Sequence, residues 1–111
     1  MMSYEVIITS DAAADLIEVR NYIADVLLAP DIALSYMRAL RAAMHTLSEL
    51  PERGRLLSEE PWYSLGVRTI NAKNFLIYYR IVPDMRKVYI LNVLYKKRNQ
   101  LRILAQRNRR K

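Results

Sequence analysis

The chain has no cysteine, only two glycines and a single histidine among its 111 residues. Without cysteine it forms no disulfide and offers no thiolate metal ligand, and a reducing compartment is the natural expectation. Two glycines are too few for a glycine-rich phosphate-binding loop. The histidine, His45, has no cysteine or second histidine to complete a metal site and nothing to support a catalytic triad, so we expect it to face solvent. We therefore predict no metal and no cofactor.

Acidic residues are missing from the end of the sequence, where none follows Asp84. The ten lysines and arginines beyond that point are Arg86, Lys87, Lys96, Lys97, Arg98, Arg102, Arg107, Arg109, Arg110 and Lys111. Residues 1–50 show the opposite balance, with seven acidic residues against three arginines, and the whole chain carries a net charge of +7. This split predicts a basic working end and a partner such as nucleic acid, a ribosome or an acidic protein. The alternative for Arg107–Lys111 is a solvated tail that only aids solubility.

Long apolar runs are also missing, and the N-terminus has no basic segment followed by an apolar stretch. The sequence therefore predicts neither a membrane-spanning helix nor a signal peptide, and we expect a cytoplasmic protein with no membrane partner. A hydrophobic content of 52% in 111 residues is enough for one folded domain. We predict a single domain over residues 1–111, in which residues 106–111 form a flexible basic tail.

Residue patterns in the first half predict a short strand followed by two helices. The β-branched run Tyr4–Thr9 predicts the strand. Ser10 is the predicted N-cap of a first helix, which ends one or two residues before Pro30. Pro30 occupies the first position of the second helix, and Pro51 ends that helix.

Each predicted helix carries one apolar face and ordinary charges elsewhere. Asp11 and Asp15 fall in the first turns of the first helix, where acidic side chains favour the helix dipole. The apolar stripe of the first helix consists of Leu16, Val19, Ile23, Val26 and Leu27. That of the second consists of Ala33, Tyr36, Met37, Leu40, Met44 and Leu47. The short link between the helices predicts an antiparallel hairpin.

Three strands are predicted in the second half, after a polar loop over residues 51–65. The strands are Gly66–Ala72, Phe75–Val82 and Val88–Tyr95. Tight turns join them, so this part of the sheet is antiparallel. The predicted fold class is α+β: an N-terminal strand, an antiparallel helical hairpin packed on one face of a mainly antiparallel sheet, and a basic C-terminal tail.

Basic residues in and after these strands are the candidate binding residues. Arg68 and Arg80 lie inside strands, Lys96–Arg98 follow the last strand, and Arg102 comes about one helical turn later. If the strands pair as hairpins, we expect Arg68, Arg80 and the Lys96–Arg98 cluster on or beside one sheet face, the one that the helices leave bare. Phosphate contacts and base stacking fit such a face, with tyrosines interleaved at Tyr78, Tyr79, Tyr89 and Tyr95. The alternative is that tyrosine is simply a common strand residue and that Arg80 only flanks a turn.

Several short motifs, in this order and spacing, resemble the RelE/ParE superfamily of toxins from type II toxin–antitoxin modules. The residues that carry the resemblance are Asp15-Leu16 and Tyr22-Ile23 in the first helix, Leu47 and Leu50–Gly54 at the end of the second, Gly66–Arg68, Phe75–Ile81 and Val88–Asn99. The resemblance runs from Tyr4 to about Leu104. It implies the α+β fold described above and a toxin that arrests growth, in a setting such as plasmid stabilisation.

The superfamily has two branches, and the sequence is more similar to the ParE-like one. RelE-like members cleave mRNA on the ribosome, with an arginine early in the central strand and an aromatic base or an acid near the C-terminus. Those positions correspond here to Phe75 or Leu76 and to Arg102. ParE-like members poison DNA gyrase and are not known as enzymes. The resemblance therefore implies a gyrase-poisoning toxin, neutralised by an antitoxin with an acidic, amphipathic segment in a hetero-oligomer.

Two alternatives remain open from the sequence. The first is a RelE-like mRNA endonuclease acting on the ribosome, which would use Arg68, Arg80, Lys96 and Arg98 to hold phosphates and offset transition-state charge. The second is a non-toxic nucleic-acid-binding module. In every case the residues expected to contact the target or nucleic acid are Arg68, Arg80, Lys96, Lys97, Arg98 and Arg102.

Overall fold

A five-stranded sheet with two helices on one face forms the centre of the molecule, in a computed structural model that describes residues 3–96. In chain order the elements are β1 (Glu5–Ile8), α1 (Ser10–Asn21), α2 (Pro30–His45), β2 (Arg55–Leu56), α3 (Trp62–Leu65), β3 (Val67–Ala72), β4 (Phe75–Val82) and β5 (Lys87–Tyr95). The sheet order is β1-β5-β4-β3-β2. Only β1 and β5 run parallel, and the other pairs are antiparallel. The predicted α+β fold class is confirmed.

The three long strands begin and end within one residue of their predicted limits. The turn at Lys73-Asn74 uses a left-handed backbone at Lys73, where φ is 56°. The turn after β4 uses one at Arg86, where φ is 54°. Two short elements, β2 and α3, lie in the segment that was predicted to be only a polar loop.

Thr9, and not the predicted Ser10, is the N-cap of α1. Its Oγ1 accepts a hydrogen bond from the Ala12 N–H at 3.3 Å and donates one to the Ile90 carbonyl at 2.6 Å. The β1 strand brings Thr9 against β5, and Ser10 at the next position is already helical and exposed. A single hydroxyl therefore both begins α1 and ties it to the sheet.

The first helix ends earlier than its apolar periodicity predicts. After α1 the chain makes a wider π-helical turn over Tyr22–Val26, and Leu28 adopts a left-handed backbone with φ of 55°. The wider turn rotates the final apolar residues away from the core. Val26 and Leu27 are 65% and 54% exposed, so their assignment to the buried stripe is wrong.

The second helix begins at Pro30 as predicted but ends at His45, before Pro51. Two short 3₁₀ turns, Thr46–Ser48 and Pro51–Arg53, carry the chain onward. The predicted apolar face is confirmed: Ala33, Leu40, Met44 and Leu47 are buried, and Tyr36 and Met37 are half-buried against the same core.

The sheet buries side chains on both faces. On the helix side the core is built from α1, α2 and alternate residues of the strands, including Leu16, Leu40, Ile77, Tyr79 and Ile90. On the other side a smaller cluster consists of Leu57, Trp62, Val67, Tyr78 and Leu94. The segment between β2 and β3 therefore covers part of the face that was predicted to be bare. Among residues 3–96, no helix has the length and apolar character needed to cross a membrane.

Candidate functional site

Arg68 and Arg80 lie on opposite faces of the sheet. Arg68 pairs with Tyr79, which belongs to the helix-side core, and Arg80 pairs with Val67, which belongs to the opposite cluster. Side chains directly across an antiparallel pair share a face, because the side-chain period of a strand is two. The expectation that these two arginines share one basic face therefore does not hold.

The Arg68 side chain holds a loop in place. Its guanidinium donates to the Gly54 carbonyl at 2.9 Å and to the Glu52 carbonyl at 3.4 Å. Beside it, the Tyr79 hydroxyl donates to the Pro51 carbonyl at 2.6 Å and accepts from the Gly54 N–H at 2.9 Å. These bonds anchor the turn after α2 on the sheet.

Gly54 is the point of closest approach in this anchor. A Cβ on Gly54 would meet the Tyr79 hydroxyl and would come within 2.8 Å of the Thr69 carbonyl oxygen. Burial raises the pKa of the Tyr79 hydroxyl above its usual value, although the Gly54 N–H and the nearby Arg68 charge oppose that rise. The buried, hydrogen-bonded hydroxyl makes Tyr79 a structural residue and not a free stacking platform.

Arg80 is exposed on the outer face near the Pro83 end of the sheet. It lies opposite Tyr89, and Lys87 lies two residues from Tyr89 along β5. Of the four tyrosines predicted to interleave with the basic residues, only Tyr89 lies beside Arg80. Tyr78 is buried under the second cluster, where burial raises its pKa to about 12.

Lys96 lies at the other end of the sheet from Arg80. Its backbone N–H donates to the Asn74 carbonyl at 2.8 Å. Asn74 immediately precedes β4 and lies six residues before Arg80, which separates these two residues by roughly 20 Å. The predicted residues Lys97, Arg98 and Arg102 lie outside the described residues.

Basic and aromatic side chains gather beside the turn that Lys96 contacts. The Lys73 Nζ lies 5.7 Å from the centre of the Tyr36 ring, within cation–π range. The Phe75 ring lies edge-on to the Tyr36 ring, with 6.2 Å between the ring centres. It is tilted against the Tyr95 ring, with 5.5 Å between the ring centres. Tyr95 is 38% exposed, and both lysines are exposed. We name the four residues Lys73, Lys96, Tyr36 and Tyr95 the β5-end corner.

Lys73 and Tyr36 were not among the residues predicted to act at a site. The position of Lys73 could have been inferred from the β4–β5 hairpin. Pairing of Phe75 with Tyr95 places the Lys73-Asn74 turn next to Lys96. Tyr36 was predicted only as a core residue. Its second role arises because α2 places the Tyr36 ring against Phe75 at the start of β4, a contact that periodicity does not specify.

Asp15 is buried against β5 and is not a surface charge of the first helical turns. It is 2% exposed, and its Oδ2 accepts from the Val93 N–H at 2.8 Å and from the Asn92 Nδ2 at 3.3 Å. Because β1 ends opposite Ile90, Val93 has no strand on that side, and the carboxylate takes the place of a strand carbonyl.

The positions that correspond to the early arginine of RelE-like nucleases carry no charge. Phe75 is 8% exposed in the core, and Leu76 is half-buried on the other face. His45 is exposed, as predicted. Within the part of the chain that the structure describes, no group of three or more histidine or acidic side chains could hold a metal.

Comparison with known proteins gives the same picture as the fold. The sequence matches the family model for the ParE toxin of the type II toxin–antitoxin system parDE over residues 6–100. No curated protein sequence matches the chain at a significant level.

Three solved structures share the fold at low sequence identity. The chain is similar to the chromosomal ParDE system from P. aeruginosa, with a TM-score of 0.69 and 23% identity over 83% of this chain and 95% of that one. It is similar to the toxin–antitoxin complex RelBE2 from Mycobacterium tuberculosis, with a TM-score of 0.64 and 25% identity over 85% and 99%. It is also similar to a mutant of E. coli toxin RelE in the free state, with a TM-score of 0.65 and 13% identity over 96% and 98%. With the family match covering most of the strands and both long helices, the chain belongs to the ParE toxin family of type II toxin–antitoxin systems, within the RelE/ParE superfamily.

Proposed function

We propose that this toxin arrests growth by binding and poisoning DNA gyrase, and that it is not a nuclease. The observation that carries the proposal is the apolar start of the central strand. Phe75 is packed in the core and Leu76 is half-buried, so neither can offset negative charge on a scissile phosphate. The match to the ParE family over residues 6–100 supports the same choice of target.

The proposed gyrase-binding surface is the β5-end corner together with Lys97 and Arg98, which follow it in sequence. The backbone of Lys96 is held by its hydrogen bond to the β3–β4 turn, so the point from which its side chain extends has a defined position. The neighbouring Tyr95 supplies exposed aromatic area, and such area contributes strongly to protein interfaces. Arg102 continues the same basic segment and is proposed to bind there as well.

The other two predicted arginines have separate roles in this proposal. Arg80, at the far end of the outer face, is a second contact on a target large enough to span roughly 20 Å. Arg68 contributes indirectly, because its guanidinium holds the carbonyls of Glu52 and Gly54 and so fixes the loop after α2.

An antitoxin is the proposed second partner, as in the ParDE and RelBE2 complexes. The outer surface of the helical hairpin is unusually apolar for a charged protein. Its exposed large apolar side chains are Ile17, Tyr22, Val26, Leu27, Leu28, Ile32 and Leu34. Many exposed apolar side chains on one pair of helices are a feature of interaction sites. An acidic, amphipathic antitoxin segment would cover this surface while its charge opposes the net +7 of the toxin.

The target is tested with purified toxin in two parallel assays. We expect the toxin to inhibit gyrase supercoiling of relaxed plasmid, or to produce gyrase-dependent DNA breaks, and to leave mRNA intact in a reconstituted translation system. Specific mRNA cleavage with gyrase unaffected would replace this proposal with the ribosome-dependent endonuclease. Nucleic-acid binding without growth arrest would favour the non-toxic binding module.

A further inference from the structure

Beyond Ile90, β5 has a neighbouring strand on only one side within residues 3–96. The β1 strand pairs with β5 from Lys87 to Ile90, whereas β4 pairs with it as far as Tyr95. The last part of β5 therefore reaches the β5-end corner along an edge that no described strand covers. A buried N–H group on this edge needs another partner, because leaving it unpaired would cost free energy.

A shift in pairing occurs in β5 where β1 stops. Ile90 pairs with Tyr79 of β4. Asn92 pairs with the preceding residue, Tyr78, so Leu91 is one extra residue on the β5 side. An extra residue of this kind is a β-bulge, which bends its strand and increases the local twist. Because of the bulge, the pairing of β1 with β5 does not fix the direction of β5 beyond Leu91.

Asp15 supplies a partner for β5 just beyond the bulge. Its Oδ2 accepts from the Val93 N–H at 2.8 Å and from the Asn92 Nδ2 at 3.3 Å. Hydrogen bonds to a carboxylate are stronger than those between neutral groups. The helix α1 that carries Asp15 is itself fixed to β5, because the Thr9 hydroxyl donates to the Ile90 carbonyl. The carboxylate therefore holds the strand from a rigid support.

The β5-end corner lies close to the residue that Asp15 holds. Tyr95 and Lys96 follow Val93 by two and three residues, and the Lys96 N–H donates to the Asn74 carbonyl at 2.8 Å. A change of twist at Val93 would turn the Tyr95 side chain and weaken that hydrogen bond, because both depend on the course of β5. It would also change the direction in which the basic segment that begins at Lys96 leaves the sheet.

We infer that Asp15 is a positioning residue for the proposed gyrase-binding surface. The inference rests on the proposed gyrase-poisoning function and adds to it a residue that is too deeply buried to touch the target. Asp15 acts through Val93. Its carboxylate holds β5 beyond the bulge and so determines where Tyr95 and Lys96 lie.

The test compares the native toxin with two variants in a gyrase supercoiling assay. Asp15→Ala removes the acceptor of both hydrogen bonds, and Asp15→Asn keeps an oxygen in that place without the charge. A binding surface loses affinity when the residues that support it are loosened, so Asp15→Ala should raise the half-inhibitory concentration roughly tenfold. Asp15→Asn should fall between Asp15→Ala and the native toxin. Circular dichroism at the assay temperature confirms that each variant is folded.

Amide hydrogen exchange, measured by NMR, distinguishes positioning from a general loss of stability. Asp15→Ala should speed exchange at Val93 and Lys96 roughly tenfold, because that end of β5 opens locally. Exchange at Val88 should not change, since β1 and β4 hold that part of β5 from both sides. Asp15→Asn should again be intermediate. The comparison of the native toxin with Asp15→Asn does not require Asp15→Ala to fold.

Thr9→Ala is the matched control. It also removes a hydrogen bond between α1 and β5, but on the near side of the bulge, at the Ile90 carbonyl. We expect it to leave gyrase inhibition and exchange at Lys96 unchanged. An equal loss of inhibition in Thr9→Ala would overturn the inference, because any loosening of α1 from β5 would then be sufficient.

The remaining outcomes separate this inference from the proposed function. Unchanged inhibition by the folded Asp15 variants would overturn the positioning role and leave gyrase as the target. Weaker inhibition without faster exchange at Lys96 would overturn it as well. A native toxin that arrests growth but spares gyrase would overturn the proposed function instead. Growth arrest would then replace supercoiling as the measure, and the same order of variants is expected.

Discussion

At the scale of single residues, the close packing of the Tyr79 hydroxyl against Gly54 leaves no room for a side chain at residue 54. We predict that Gly54→Ala destabilises the protein by about 1–3 kcal/mol, a usual cost of overpacking. The added methyl group would collide with the Tyr79 hydroxyl and the Thr69 carbonyl. Urea denaturation followed by circular dichroism measures the change.

A double-mutant cycle checks that cause. Tyr79→Phe removes the hydroxyl that the new methyl group meets, so the double variant should lose less stability than the sum of the two single variants. Gly66→Ala serves as the comparison. Gly66 has φ of 73° and no heavy atom within 4 Å of the added Cβ, so its cost is only that of the backbone, about 1 kcal/mol. Additive costs for Gly54→Ala and Tyr79→Phe would contradict the proposed collision.

Tyr78 should make stability fall at alkaline pH. Its folded-state pKa is raised from 10.0 to about 12 by burial, so the unfolded chain loses this proton first. The stabilising effect of the neutral hydroxyl is complete below pH 10 and is lost as the pH rises from about 10 to about 12. At most, the neutral hydroxyl contributes about 2–3 kcal/mol to the free energy of unfolding.

Thermal unfolding of Tyr78→Phe between pH 8 and pH 12 measures this contribution. The variant should lose less stability over that range than the native protein does. Tyr89→Phe corrects for other alkaline titrations, because Tyr89 is only half-buried on the same face. Parallel curves for the native protein and Tyr78→Phe would show that Tyr78 does not cause the loss.

At the scale of elements, Thr9 links the beginning of α1 to β5. Thr9→Ala should cost about 1–2 kcal/mol, since it removes the helix cap and the bond to the Ile90 carbonyl. Ser10→Ala is the matched control and should change stability by less than about 0.5 kcal/mol. Chemical denaturation of the three proteins gives the comparison. Equal losses for the two variants would mean that the cap is shared with Ser10.

Periodicity predicted the elements better than it predicted their ends. The apolar face of α2 and the three long strands follow from residue patterns, because burial of one face is what those patterns record. Ends depend on tertiary contacts. Thr9 takes the cap from Ser10 because β5 lies beside it, and the π-helical turn at Tyr22–Val26 removes two residues from the expected stripe.

The candidate site was harder to predict than the fold. Strand membership of Arg68 and Arg80 was evident from the sequence, but their faces depend on the register between β3 and β4. Since the side-chain period is two, a separation of twelve residues across a two-residue turn says little until that register is known. The burial of Asp15 could not be predicted either, because it depends on where β1 ends beside β5.

At the scale of the whole molecule, we predict that toxicity depends on the basic segment that begins at Lys96. Replacing Lys96, Lys97 and Arg98 together with alanine should abolish growth arrest and leave the melting temperature nearly unchanged, since exposed charges contribute little to folding. Deleting residues 107–111 should matter far less. Growth after induced expression measures the effect, with thermal unfolding as the control for folding.

A second triple variant controls for the change in net charge. Arg20, Arg41 and Arg55 are exposed, and none of them belongs to the β5-end corner. Replacing these three with alanine removes the same charge and should leave toxicity intact. A folded Lys96/Lys97/Arg98 variant that still arrests growth would show that the segment is only a solvated surface. Loss of toxicity from the tail deletion alone would move the site to residues 107–111.

Charge should also determine the association rate of the antitoxin. The toxin carries +7, so an acidic partner is steered towards it, and raising the ionic strength shortens the range of that attraction. We expect the association rate to fall steeply from low to high salt while dissociation changes little. Stopped-flow binding at several salt concentrations measures both rates. An association rate independent of salt would exclude charge steering in this partnership.

The pairing of β1 with β5 has a consequence for the order in which the toxin is made. Glu5 lies beside Lys87, so the first strand has no neighbour in the sheet until almost the whole described chain has been synthesised. At a translation rate of about 5–20 residues per second, that wait lasts roughly 4–16 s. During it the helical hairpin lacks the β5 floor on which its core closes, and the corner at Lys96 does not yet exist. The growing polypeptide therefore cannot complete the folded sheet, or the corner proposed to bind gyrase, before translation of the last strand finishes.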